Sequence, residues 1–322
     1  VEILTASFML SILSFNPFCT IAKKHQFNMK RNTLFILPLI LTATFFSSCE
    51  KNVSFDFVHN PKLVLNCILN PDSVVSASLT WSESLDSIAK FEPVEGAEII
   101  LFEGNDILGV LEPTENGRYK LDKKPEPGKT YKIEVKGKNH PPLLATTTVP
   151  KHPEIEYSKE ITGHLEFDST RATFNLNVKI NDRPGPDNYW IYDTWVVNGV
   201  KYSGARKDIN APFLDGFNKI TDPEAKYGYT LSLGVRLSDE GYDGKTMEFV
   251  IPDYFEGTQY SYTNAVHFLN ACEHYDKHIK TIILNRMKET SELPFFEPVQ
   301  IYSNIENGYG IFGSCAITTI DF

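Results

Sequence analysis

"KLVLNCILNPDSVVSASLTW", residues 62–81, is the stretch whose reading decides the fold. Lys62–Leu69 is a strongly apolar run. Asn70-Pro71-Asp72-Ser73 is turn chemistry, because proline presets φ and Asp can bond nearby backbone. Val75–Trp81 then alternates, with Val75, Ala77, Leu79 and Trp81 on one side and Ser76, Ser78 and Thr80 on the other. A period of two belongs to a strand with one buried face. The segment therefore predicts two strands around a tight turn.

The same style continues downstream. Ala97–Phe102, Ile107–Leu111, Arg118–Leu121, Thr130–Lys136 and Leu144–Val149 read as short strands separated by Gly-, Asn- and Pro-containing turns. Strands at this spacing with no helical period predict an immunoglobulin-like β-sandwich over residues 61–150. Pro150 and Pro153 bracket the expected boundary to a second antiparallel β-rich domain, residues 151–322. There, Arg171–Ile180 alternates, and Tyr189–Val197 and Val200–Ser203 flank Asn198-Gly199, a strong hairpin signal. Residues 204–227 read as a long polar loop. Tyr229–Leu237, Thr246–Ile251 and Ala265–Leu269 are further predicted strands. One helix is expected over 271–288, with Asn270 as N-cap, Glu273 completing a capping-box-like pair, and Tyr275, Ile279, Ile282, Ile283 and Met287 as its apolar stripe. The closing segment, with Gly308, Gly310 and Gly313, returns to strand.

Upstream of the fold lies a different pattern. Met29-Lys30-Arg31 is followed by the apolar run Leu34–Phe46, then Ser47, Ser48 and Cys49. A basic start, a short apolar middle and small residues at the end make a secretory leader, and the run is too short for a comfortable membrane span. A cysteine at the cleavage point resembles the lipobox of bacterial lipoproteins, with Phe46 where leucine is usual. Residues 29–48 are accordingly read as a lipoprotein signal peptide, Cys49 as the site of lipid attachment, and 49–60 as a lipidated tether. Residues 1–28 are read as an over-extended start. Acyl chains on Cys49 would anchor the protein to a membrane, each buried CH₂ contributing about 0.8 kcal/mol.

Without residues 1–48, which hold four bases and a single acid, the chain carries 27 Lys and Arg against 40 Asp and Glu, a net charge of −13. Such a chain repels phosphate backbones, so no nucleic acid partner is expected. Cys67, Cys272 and Cys315 remain, an odd number that cannot all pair; no disulfide is the default, with a Cys272–Cys315 bridge as the alternative.

Motifs for chemistry are sparse. His274 and His278 share a helix face at i, i+4 but have no third ligand nearby, so they read as surface histidines and no metal is expected. Asp239–Lys245 lacks the oxygen spacing of a calcium loop and reads as a turn. Gly308, Gly310 and Gly313 spell G-x-G-x-x-G, but no helix follows to receive a pyrophosphate. No nucleophile elbow occurs. No catalytic residue and no cofactor are expected, and the protein reads as not an enzyme. The aromatic set Trp190, Tyr192 and Trp195 is the candidate ligand platform, with Trp190 and Tyr192 on one face of their strand and Trp195 on the other.

"LVLNCILNPDS", "VEGAEIILFE", "GRYKLDKKPEPGKTYKIEV", "TTTVP", "LSDEGYDGK" and above all "PFFEPVQIYSNIENGYGIFG" together resemble the domain of unknown function family numbered 4249. The sandwich portion is also similar to carboxypeptidase-regulatory-like domains. Cys67 departs from an expected glycine, and Cys315 from a small or polar residue. The resemblance implies an outer-membrane lipoprotein of Gram-negative bacteria, whose genes often lie beside a TonB-dependent transporter. The expected partners are the membrane, through the N-terminal lipid, a TonB-dependent outer-membrane barrel, and a glycan or peptide ligand. The expected role is an accessory or ligand-binding component of that transporter, the alternative being a stand-alone carbohydrate- or peptide-binding adhesin.

Overall fold

In the computed structural model, residues 62–81 form the expected hairpin. The described residues are 59–84, 91–137, 140–166, 168–197, 199–204, 209, 211–218, 234–255, 264–289 and 299–321. The segments expected to be leader and tether, with Cys49, lie outside them up to residue 58. Strands β1 (Leu63–Leu69) and β2 (Val75–Trp81) pair antiparallel, with Leu65 opposite Leu79 and Cys67 opposite Ala77. The turn closes as its residues predict: Asn70 Oδ1 accepts from Asp72 N at 2.9 Å, and Asn70 O from Ser73 N at 3.1 Å.

Strands β3 (Glu98–Glu103), β4 (Asp106–Pro113), β5 (Arg118–Leu121), β6 (Thr130–Lys136) and β7 (Leu143–Thr148) complete a sandwich. Alternate residues of its strands, from Leu63, Leu65 and Leu79 to Ile99, Leu101, Ile133 and Val135, make one apolar core. Burying each such aliphatic side chain contributes about 1.5–3 kcal/mol. Its two large tyrosines keep hydroxyl partners: Tyr119 donates to Val94 O at 2.8 Å, and Tyr131 to Glu103 Oε2 at 3.0 Å.

Beyond Pro153 come β8 (Glu154–Leu165), β9 (Asp168–Asn181), β10 (Asn188–Val197), β11 (Val200–Gly204), β12 (Val235–Ser238), β13 (Thr246–Phe255), β14 (Asn264–Ala271), the helix α1 (Glu273–Glu289) and β15 (Tyr309–Asp321). Strand β8 was not foreseen from the sequence; its alternation is masked by charged residues on both faces. Of the predicted strand 229–237, the described part begins at Val235 and leads into β12; residues 229–233 lie outside. The region has three layers. The sheet β13-β9-β8 packs one face on a central sheet built on β10, β14 and β15, with Phe174, Leu176, Val178, Met247 and Phe268 between them. The other face of the central sheet carries α1 over Trp190, Leu269, Ala271 and Cys315.

The mainly β architecture with one helix near the C-terminus is as expected, and one pairing is not. Strand β15 lies between β14, to which it is antiparallel, and β1, to which it is parallel, with Val64 opposite Tyr309 and Leu69 opposite Ser314. A strand path therefore runs unbroken from β11 to β7. The G-x-G-x-x-G spacing serves this seam. A Cβ on Gly308 would lie 2.7 Å from Leu63 O, one on Gly310 would lie 2.0 Å from Leu65 O, and one on Gly313 would lie 3.0 Å from Tyr275 Cβ. Gly310 also has φ +105°, a conformation side chains rarely adopt.

The helix begins later than expected. Asn270 is still in β14, buried, and its amide binds Asp187 Oδ1 at 2.5 Å while its Oδ1 accepts from Asn188 N at 3.2 Å. The cap is Cys272, whose Sγ accepts from Tyr275 N at 3.4 Å. The same sulfur accepts from Ser314 N at 3.2 Å and from Thr147 Oγ1 at 3.3 Å. Asn270 loses the capping role because a central strand, paired on both sides, claims its backbone. Of the predicted stripe, Tyr275, Ile279, Ile283 and Met287 join the cluster under the helix, and Ile282 is not among its residues.

Candidate functional site

The candidate aromatic residues all come from β10, and its alternation sends them to different places. Trp190 is 2% exposed and sits in the core beneath α1, its ring edge against Phe217 at 6.1 Å. Its Nε1 donates to Asp276 Oδ1 at 2.9 Å. It presents no face to a ligand, which corrects its assignment to the platform: a strand between two packed layers buries both of its faces. Tyr192 is half-buried and stacked on His267, with ring centroids 4.6 Å apart. His267 is itself bracketed by Thr194 Oγ1 at 2.8 Å and Thr319 Oγ1 at 2.9 Å. Trp195 lies farther along, stacked on its cross-strand neighbour Tyr202 at 6.0 Å on the β10–β11 hairpin, where Tyr202 is 46% exposed. Trp190 and Tyr192 thus belong to the helix side, and Trp195 with Tyr202 forms a separate surface pair.

Under Trp190 is a charged cluster that the sequence reading missed. Arg236, on β12, donates through Nε to Asp276 Oδ1 at 2.8 Å and through Nη2 to Asp276 Oδ2 at 3.2 Å and Asn188 Oδ1 at 2.7 Å. Its Nη1 pairs with Asp215. Lys280 reaches Asp276 Oδ2 at 2.9 Å from one helical turn away. Burial by itself would raise the Asp276 carboxyl, but hydrogen bonds and charge from Arg236, then Lys280, hold it below the usual carboxylate range. Two cations and two carboxylates balance, and four of the five guanidinium donors are spent. The one sequence signal was an arginine inside the apolar run Val235-Arg236-Leu237.

The acids of the Asp239–Lys245 turn also serve the fold. Asp239 Oδ2 accepts from Asp187 N at 2.9 Å, and Asp243 Oδ1 from Gly185 N at 2.8 Å, locking two loops together. Asp182 accepts from Tyr189 Oη at 2.7 Å and Gly244 N at 2.8 Å, and burial raises its pKa. The helix histidines hold down the segment before β15. His278 Nδ1 donates to Tyr302 O at 2.7 Å, and His274 Nδ1 shares a hydrogen bond with Tyr302 Oη at 2.7 Å. Burial pushes the His278 pKa down, against the opposing Tyr302 carbonyl. Among the described residues no three His, Cys, Asp or Glu side chains converge as a metal site, and Cys67, Cys272 and Cys315 are free thiols.

Tyr302, which His274 and His278 hold, directly precedes the "SNIENGYGIFG" stretch. Asn304 exchanges two hydrogen bonds with the Phe312 backbone, at 2.8 and 2.9 Å, and Asn307, at φ 64°, donates to Pro142 O at 2.9 Å. These residues bind the final strand into the sandwich. A family profile described as "Domain of unknown function (DUF4249)" matches residues 50–321. The chain belongs to the DUF4249 family. No curated protein matches this DUF4249 chain. Among solved structures it is similar to a point mutant of Salmonella alpha-2-macroglobulin, at 12% identity and a TM-score of 0.22, and to E. coli alpha-2-macroglobulin in its native conformation, at 15% and 0.21. Each likeness covers 69% of this chain and 14% of the other, and at those scores neither carries an argument about the DUF4249 fold.

Proposed function

We propose that this DUF4249 member is a lipid-anchored protein of the outer membrane, tethered through Cys49, that acts without catalysis as an accessory or ligand-binding component of a TonB-dependent transporter. The observation that carries the reading is the position of the family match. It starts at residue 50, directly after a cysteine that ends a basic, apolar, small-residue leader. The first described strand begins at Leu63. The buried acids Asp276 and Asp182 and the half-buried His267 and His278 are engaged by the chain's own groups, which supports a binding role over a catalytic one. Two experiments test it. Cells fed labelled palmitate should label the wild-type chain and not the Cys49→Ala variant; equal labelling rejects the anchor. Gentle solubilisation of the membrane and capture through a C-terminal tag should bring down a stoichiometric TonB-dependent barrel; a protein that emerges alone in several detergents rejects the transporter role.

The adhesin alternative has one feature in its favour, the Trp195–Tyr202 pair on an exposed hairpin. Glycan or peptide binding that disappears in Trp195→Ala, with no barrel captured, would favour it.

A further inference from the structure

The outer face of the β13-β9-β8 sheet, turned away from the central sheet, holds a groove of about 410 Å³ that no proposed activity uses. The alternation of β9 sets its floor. Leu176, Val178 and Ile180 are buried against the central sheet, so Asn177 and Lys179 point the other way. Register places Glu156 and Glu248 beside Lys179, and Ser158 and Val250 beside Asn177. These six residues line the groove.

Much of this face is zipped by its own hydrogen bonds. At one end Asn181 donates to Glu156 Oε1 at 2.9 Å and accepts from Thr246 Oγ1 at 3.2 Å, and Lys179 reaches Glu248 Oε1 at 2.7 Å. At the other end Thr162 and Thr173 share a hydrogen bond at 3.1 Å. Between them the zip is open. Among the described residues, neither the Asn177 side-chain amide nor the Ser158 hydroxyl has a hydrogen-bond partner. The backbone beneath is fixed, since Asn177 is paired to β8 on one side and to β13 on the other. Groups held in place before a guest arrives lose little entropy on binding.

We propose that this groove binds a neutral, hydroxyl-rich ring, a pyranose unit of a glycan. Its volume lies within the range of small-molecule sites. The amide and the hydroxyl each donate and accept, and a sugar hydroxyl does the same, so one ring can meet both without leaving a polar atom unpaired. Glu156 and Glu248 have lone pairs left for further hydroxyl donors. The row beside Asn177 carries one cation against two carboxylates, which disfavours an anionic guest. A cationic guest would meet Lys179 between those carboxylates. Val250, 40% exposed opposite Asn177, offers an apolar contact to the C–H face of a ring. A peptide brings one backbone donor and one acceptor per residue, spread along its chain, and fits this cluster less well.

The site shares no residue with the Trp195–Tyr202 pair and needs neither Cys49 nor a barrel, so its test stands apart from theirs. The purified full chain is titrated with methyl glucoside, glucuronate and N-acetyl-lysinamide, and the asparagine side-chain amide signals are followed by NMR. Methyl glucoside should move the Asn177 amide signals with a Kd on the order of 1 mM. The anionic and the cationic, peptide-like probes should each bind about tenfold more weakly. Asn177→Ala and Ser158→Ala should each weaken the glucoside about five- to tenfold. Neither side chain bonds to the rest of the fold, so the thermal melting curve should stay in place, which separates lost binding from lost folding. No movement of the Asn177 signals in the wild type overturns the proposal. So does glucoside binding that survives in the double variant, or binding of either other probe as tight as the glucoside's.

Discussion

The two halves of the molecule hold their interiors together by different means. From Leu63 to Val149 the buried residues are apolar or aromatic, with Thr147 as the polar exception at the seam. From Phe174 onward the interior also holds Asp182, Arg236, Asn270 and Asp276, each joined to groups far along the chain. An apolar core rewards any residue of the right size, whereas a buried ion network punishes the loss of one partner. The first half should therefore tolerate conservative change, and the second should depend on particular side chains.

The largest effect is expected where the halves join. Gly310→Val places a branched side chain at φ +105° against Leu65 O and should destabilise by more than about 4 kcal/mol, or prevent folding. Gly104→Ala, at φ +59° in open space, should cost about 1 kcal/mol. Denaturant midpoints of the two variants measure the difference, and equal midpoints would show that the parallel seam is not as described. Next comes Arg236→Met, which takes the cation from Asp215 and leaves Asp276 with Lys280 and Trp190, and should cost about 3–5 kcal/mol. Pairing it with Asp276→Leu should recover part of that loss, which a double-mutant cycle would report as coupling. In the apolar half, Leu65→Ala should cost about 2–5 kcal/mol with no such rescue available. Cys272→Ala should remove a helix cap for about 1 kcal/mol, and Cys272→Ser should restore most of it; helix content by circular dichroism reads both.

The smallest expected effect is a pH dependence confined to the second half. His267 is pushed down by burial and by Lys201, against Asp321, and His278 by burial. A lowered folded pKa means that the unfolded chain binds more protons. Their contribution is therefore complete above about pH 6.5 and is lost as pH falls toward the lowered values. Hydrogen exchange should show α1 and the 299–305 segment loosening first in mild acid, and His278→Gln should flatten that response. Uniform loosening of both halves would remove the distinction.

Much of the first half was legible because its strands are local and alternate. The Asn70–Ser73 turn and the run Val75-Ala77-Leu79 each point one way, and the fold agrees with both. The parallel pairing of β1 with β15 had no such signal, since strands so far apart carry no mark of register or direction. Gly308, Gly310 and Gly313 were visible as a motif, but only close backbone approach explains them. Asn270 looked like a cap by composition and was claimed by a central strand. Trp190 and Tyr192 were placed correctly on one face of their strand. That both faces are covered follows from α1 and the β13-β9-β8 sheet, whose positions no residue of β10 encodes.

The place of β15 also sets an order of events. Its partner β1 is translated near the start of the fold, and Val64 cannot meet Tyr309 until everything between them has left the ribosome. Until then β1 offers a row of open backbone donors and acceptors on the side away from β2. A nascent chain in that condition is slow to close and exposed to wrong strand pairings. Any truncation before Tyr309 would leave that edge without its parallel partner, so closing the sandwich waits on residues far along the chain.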